Sequence, residues 1–327
     1  MKSTSKSMMR RAMAVALAGL AAATAAGVAL AAGEGNEIKR QKWTFGGLFG
    51  QFDRAQLQRG YQVYSEVCAT CHGITRIAFR NLAESGGPEF PIDAVKGLAA
   101  SFKIEDGPNE QGKMFQRPGR LSDRFPPPYK NEQEARATHN GAYPPDLSLI
   151  TRARNVEYHG PVWFHPLSML WDVVIGYQEG GADYLYALLT GYGAPPAYVR
   201  DAAGHLIRLA PGQADAKAER CVSVVPGKDG KPDVCNRLLD GMHYNAVFPG
   251  GQIAMIPPLQ DGRVAYTDGT PPTVHNYAAD VSAFLSWAAD PTLERRKQLG
   301  WQVLLYLLVT TVLLYIAKRR IWSNIAH

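Results

Sequence analysis

The chain has 327 residues, 46% of them hydrophobic, and 35 Lys and Arg against 29 Asp and Glu give it a formal charge of +6. Four of those basic residues fall before residue 12 and six flank an apolar stretch near the C-terminus, so residues 32–293 are slightly acidic. The basic balance therefore gives no ground for nucleic-acid binding, and the roughly 260 residues between the ends suffice for one large domain or two small ones.

Lys2, Lys6, Arg10 and Arg11 form a cationic start without an acidic residue; Ala12 to Leu30 is apolar, and Ala29-Leu30-Ala31 has the form of a cleavage site. This is the layout of a secretory signal over residues 1–31, with a mature chain starting near Ala32. Asp53 is the expected cap of a helix running to about Val67, with Leu57, Tyr61 and Tyr64 on one face. That helix delivers residues 68–72, Cys-Ala-Thr-Cys-His. Two thiols three apart, followed by an imidazole, are the attachment signature of a c-type haem. Each thiol can add to a haem vinyl group, and His72 can then ligate the iron. A zinc site would ask for a second ligand pair at short spacing, whereas Cys221 and Cys235 lie well apart.

After the motif the chain is rich in Gly and Pro. Glu105–Pro128, Ala142–Pro145 and Gly191–Pro196 read as loops that wrap, which is tolerable where a large apolar prosthetic group supplies the core. Gly107-x-x-x-x-Gly112-Lys113 nearly matches a phosphate-binding loop, but Met114 replaces the required Ser or Thr and no buried strand precedes it. A short helix is expected from Asp183 to Thr190. A longer one is expected from about Pro272 to Ala289, capped by Thr270 or Thr273, with Tyr277, Val281, Phe284, Leu285 and Ala288 as its apolar stripe. Leu299 to Ala317 carries no charge and is long enough, as a helix, to cross a bilayer. Arg295, Arg296 and Lys297 precede it, Lys318, Arg319 and Arg320 follow, and Trp301 and Trp322 suit the two interfaces. Since basic residues flank both ends, the leader decides orientation: the haem domain outside, His327 inside.

If His72 binds one face of the iron, the other takes a methionine or a histidine, or stays open. The exported methionines are Met114, Met169, Met242 and Met255. Met255 sits in the Gly250–Pro258 loop, where glycines followed by Pro257-Pro258 can hold a thioether with little freedom. Met242, after Gly241, is its rival. Met169, among Trp163, Phe164 and Trp171, reads as packing.

Longer stretches carry a resemblance to the cytochrome c1 family. They are the motif at 68–72, DGPNEQGKMFQRPGRLSD at 106–123, NGAYPPDLSLITRAR at 140–154 and GGADYLYALLTGY at 180–192. The loop from Phe248 through Met255 to Pro258, DGTPPT at 268–273, FLSWAADP at 284–291 and the basic-flanked C-terminal stretch follow in the same order. The resemblance implies a mainly α fold: a cytochrome c-type haem domain with long loops, plus one C-terminal transmembrane helix. Residues 1–31 would be the cleaved signal, 32–293 the periplasmic haem domain, and 294–327 the anchor in a bacterial inner membrane with a short cytoplasmic tail. It implies one haem c bound through Cys68 and Cys71, axial ligands His72 and Met255, and Arg154 and Tyr184 at the propionates.

For function, the resemblance implies the electron-transfer subunit of the quinol–cytochrome c reductase (bc1) complex, not an enzyme on its own. Electrons would come from a Rieske iron–sulfur protein and pass to a soluble c-type cytochrome, beside cytochrome b and membrane lipid in a dimeric assembly, with no nucleic acid. A free-standing membrane-anchored carrier or an oxidase's cytochrome subunit is the alternative, and a haem enzyme such as a peroxidase would need a vacant axial site. Residues 155–179 and 198–240 are insertions relative to short family members. The second bears Cys221 and Cys235; in an oxidising compartment two leftover thiols are expected to pair, and free thiols are the alternative.

Overall fold

Two helices of the described part meet at a single glycine, Gly60. The computed structural model describes residues 38–323 apart from 157–160, 211, 214 and 228–230, so the expected signal over 1–31 and the last residues of the tail lie outside the described residues. In chain order the helices are α1 (Arg54–Val63), α2 (Ile92–Ser101), α3 (Glu132–Thr138), α4 (Ile150–Ala153), α5 (His165–Ile175), α6 (Gly180–Thr190), α7 (Val274–Ala289) and α8 (Leu293–Trp322).

Asp53 caps α1 as expected, its carboxylate accepting the Gln56 N–H at 3.2 Å. Tyr64–Cys68 continues as a π-helical turn, closed by an Ala69 N–H to Tyr64 carbonyl bond of 2.8 Å. Such widened turns recur at functional sites, and this one ends on the first cysteine of the motif. Thr273, not Thr270, caps α7, accepting from the Asn276 N–H at 3.3 Å, so Pro272 lies outside the helix. The expected stripe of α7 is buried in full, and so are Asp280, Ser282 and Ser286 between its members. The Asp280 carboxylate is held by Arg59 at 2.9 Å and the Tyr266 hydroxyl at 2.8 Å, which lets a charge stay inside. A Cβ on Gly60 of α1 would lie 2.1 Å from the Asp280 carbonyl oxygen and 2.6 Å from the Phe284 Cβ. The two backbones touch there, and only glycine fits.

Helix α6 begins three residues earlier than its sequence suggests, at Gly180. Two glycines read as loop because they are poor helix formers. They serve packing instead: a Cβ on Gly181 would lie 1.8 Å from the Thr151 carbonyl oxygen of α4.

The strands are short and antiparallel. β1 (Lys103–Asp106) pairs with β2 (Phe115–Pro118), so the Gly107–Met114 segment joins two strands rather than a strand to a helix and is no phosphate loop. In the 198–240 insertion, β3 (Ala197–Arg200) lies between β4 (Leu206–Arg208) and β5 (Glu219–Arg220), and β6 (Ser223–Val225) pairs with β7 (Val234–Asn236). A Cys221–Cys235 disulfide, Cα atoms 5.3 Å apart, ties this insertion together. β8 (His243–Tyr244) and β9 (Gln252–Ile253) then lead into the Met255 loop.

One expectation is corrected. Met169 and its aromatic neighbours are not packing residues: Trp163 is 80%, Met169 56% and Trp171 62% exposed, and α5 buries nothing. Apolar composition suggested a core segment, but the less exposed side of α5 carries Ser168 and Asp172, with Asp172 held by Arg40 at 3.0 Å.

Helix α8 has 30 residues and a mean hydropathy of 1.9 over its most apolar window, long and apolar enough to cross a membrane. Its first turn is bolted to the domain. Glu294 accepts from the Arg54 guanidinium at 2.7 and 2.8 Å and from the Phe52 N–H at 2.7 Å, and Lys297 donates to the Phe45 carbonyl at 2.6 Å.

Candidate haem-attachment site

Cys68 ends the π turn, and the chain coils once more: the Cys71 and His72 N–H groups both donate to the Cys68 carbonyl, at 3.1 and 2.9 Å. This one coil holds both unpaired thiols and the imidazole together. Burial, reinforced by Cys71, pushes the Cys68 thiol up to about 12, while the Arg263 charge works the other way.

His72 is fixed from both its backbone and its ring. The Tyr64 hydroxyl donates to the His72 carbonyl at 3.0 Å, and ring Nδ1 lies 2.8 Å from the Pro145 carbonyl oxygen. A carbonyl only accepts, so Nδ1 carries the proton and Nε2 keeps its lone pair. Burial lowers the His72 pKa, against the opposing pull of that carbonyl, which favours the neutral ring. A neutral imidazole with Nε2 free and Nδ1–H anchored is what an iron ligand requires.

Pro145 belongs to a clamp that continues past His72. The Leu147 N–H donates to the Gly73 carbonyl at 2.8 Å, and Asp146 accepts from the Thr75 N–H and hydroxyl, both at 2.9 Å, and from the Ser148 N–H at 2.8 Å. Burial opposes ionisation of Asp146, but these donors outweigh it and hold its pKa down. Tyr129 reaches the Thr70 carbonyl at 3.4 Å and His139 Nε2 at 2.6 Å. Motif spacing missed Tyr64, Tyr129, Pro145 and Asp146. The last two stand inside the 140–154 stretch that carried the family resemblance, which is the signal that could have found them.

Among the four candidate methionines, Met255 packs against the same core as Cys68 and Ala69, whereas Met114 and Met169 are exposed. Its loop is held at several points. The Tyr192 hydroxyl donates to the Met255 carbonyl at 3.2 Å, and buried Asn245 donates to the Leu188 carbonyl at 2.8 Å while accepting from the Val247 and Phe248 N–H groups. Gly250 and Gly251 adopt φ of 80° and 73°, which β-branched residues could not. Arg154 ends α4, its exposed guanidinium donating to the Ala153 carbonyl at 3.1 Å, and Tyr184 is buried in α6.

The residues present thus suit a haem: two thiols on one coil, an imidazole with its outer nitrogen fixed, and a core-facing thioether on a braced loop. Fold and site define a mainly α, cytochrome c-type domain with long loops and a C-terminal helix able to span a bilayer. Residues 43–325 match the Cytochrome C1 family, and the chain belongs to it. It is 41% identical to cytochrome c1 of Blastochloris viridis over 94% of this chain and 93% of that one. It is 37% identical to cytochrome c1 of Rhodospirillum rubrum, covering 98% of each. Identity reaches 44% with the cytochrome b/c1 of Bradyrhizobium diazoefficiens, over 86% of this chain but only 35% of that longer relative.

Proposed function

We propose that this chain is the one-electron carrier of a bacterial quinol–cytochrome c reductase (bc1) complex. Cys68 and Cys71 would hold one haem c through thioethers, with His72 and Met255 as axial ligands and Arg154 and Tyr184 at its propionates. When bound, such a haem supplies a reversible one-electron couple whose potential thioether ligation raises. The observation that carries the reading is the His72 Nδ1–Pro145 bond, which leaves the Nε2 lone pair available for ligation beside two unpaired thiols.

The chain's own residues hold and exclude. Tyr64 and Pro145 fix the imidazole, and Tyr192 and Asn245 fix the Met255 loop; a thioether on a braced loop resists displacement by water, oxygen or carbon monoxide. With both His72 and Met255 holding it, a haem here would favour electron transfer over ligand chemistry, and the chain would be no enzyme by itself. The name cytochrome b/c1 borne by the Bradyrhizobium relative favours cytochrome b as a neighbour of this chain too. In this reading the α8 helix spans the inner membrane with the haem domain on the periplasmic side. There the domain would accept electrons from a Rieske iron–sulfur protein and deliver them to a soluble c-type cytochrome, within a dimeric assembly.

Purification from membranes in mild detergent tests this. Haem absorbance should co-migrate with a cytochrome b and an iron–sulfur protein, and added oxidised soluble cytochrome c should drain electrons from the reduced haem. Haem migrating on this chain alone would favour a free-standing carrier and contradict the assignment.

A further inference from the structure

Helix α5 is built inside out. Its less exposed positions are Ser168, Asp172 and Ile175, spaced to lie on one side, and Asp172 is tied to Arg40, which in turn stacks on the Tyr177 ring at 3.8 Å. Leu167, Met169, Leu170, Trp171, Val173 and Val174 all face solvent. A soluble surface normally shows the reverse arrangement, and an apolar patch of this extent marks a contact.

The neighbours of α5 say what covers it. Gly176, which caps its C-terminus, packs on Gly47 and Leu48, where a Cβ would come 2.9 Å from the Leu48 side chain. Exposed Phe49, one residue on, sets its ring against Trp301 with centroids 5.6 Å apart. Trp301 stands at the head of the apolar part of α8, four residues after Lys297, the lysine bonded to the Phe45 carbonyl. A chain of contacts therefore runs from the level at which α8 enters the bilayer, through Phe49 and Leu48, to the end of α5. Trp163, Trp171 and Trp301, with Arg295 and Arg296 close by in sequence, supply the aromatic and basic residues typical of that level.

We propose that α5 is an interfacial helix, its apolar side seated in the headgroup–acyl boundary of the bilayer beside α8. The inference depends on α8 crossing the membrane and is independent of the haem reading. A helix lying flat with Trp and Leu down and a polar edge up needs no protein partner to cover it. Continuity with the membrane-crossing helix points to lipid as its occupant. Seated in this way, α5 would add a second attachment point and limit rocking of the haem domain about α8.

Hydroxyl-radical footprinting of the full chain in phosphatidylcholine nanodiscs, without other subunits, tests this. Met114 on the β1–β2 hairpin and Met169 on α5 are equally exposed by the chain itself, at 55% and 56%. Lipid contact should slow Met169 oxidation at least about fivefold relative to Met114, with Trp163 and Trp171 protected alongside it. Tyr306 and Tyr315 of α8 report the span in the same sample. Equal rates at the two methionines, with both tyrosines protected, would overturn the interfacial helix while leaving the span standing. Exposed tyrosines would overturn both. Protection of Met169 only when the other subunits are present would assign the face to a protein partner and overturn lipid as its occupant.

Discussion

The imidazole of His72 is aimed by one carbonyl, that of Pro145, and Met255, proposed as its counterpart, sits on the loop that Tyr192 and Asn245 brace. Met255→Leu removes the sulfur while keeping most of the side-chain volume. It should lower the midpoint potential by on the order of 0.1 V or more, within the ~0.8 V that axial ligands span, and redox titration reads it. Carbon monoxide should then bind the reduced protein. An unchanged potential would remove Met255 from the site. A second residue-scale expectation concerns pH. The Arg117 guanidinium, with burial opposing it, holds the Asp123 carboxyl down at about 2. A depressed carboxylate stabilises the fold above its unfolded value near 3.8, and that contribution is lost as pH falls toward 2. Asp123→Asn should therefore lower urea stability at pH 7 and lose most of its effect below pH 3. An equal loss at both pH values would contradict the pairing. At this scale Cys68, Cys71 and His72 were legible from spacing alone. Tyr64, Tyr129 and Asp146 were not: Tyr64 looked like one more residue of a helical stripe until its hydroxyl was seen on the His72 carbonyl, and Tyr129 and Asp146 join the site from segments far away in sequence.

At the scale of elements, α1 and α7 were legible from caps and periodicity, because both bury apolar faces with ordinary helical spacing. What escaped was set by close approach. Gly180 and Gly181 look like loop but begin α6 under the α4 backbone, and Gly60 looks like a weak point in α1 but is its contact with α7. Gly60→Ala should cost about 1–3 kcal/mol or more of unfolding free energy, because a backbone contact cannot yield as a flexible side chain does. Chemical denaturation would check it, and a loss below about 0.5 kcal/mol would deny the close crossing. The Cys221–Cys235 bridge spans 14 residues. Replacing both by Ala should cost roughly 3 kcal/mol in the chain-entropy model, and thiol titration of the denatured, unreduced protein should find none free. Two titratable thiols would contradict the bridge. The α5 segment was misjudged for the opposite reason: apolar composition alone does not say whether protein or lipid will cover it.

For the whole molecule, composition pointed to a basic protein, but the charge is concentrated at the two ends. Part of the basic cluster before the apolar stretch is engaged within the chain, Arg296 with Asp290 and Lys297 with the Phe45 carbonyl, so the start of α8 is tied to the domain. The central claim is that this domain carries iron porphyrin on Cys68 and Cys71 by covalent bonds. Acid–acetone extraction of the purified protein, followed by a pyridine haemochrome spectrum of the pellet, tests it most directly. The account predicts one haem per chain retained with the polypeptide; porphyrin released into the solvent would contradict it.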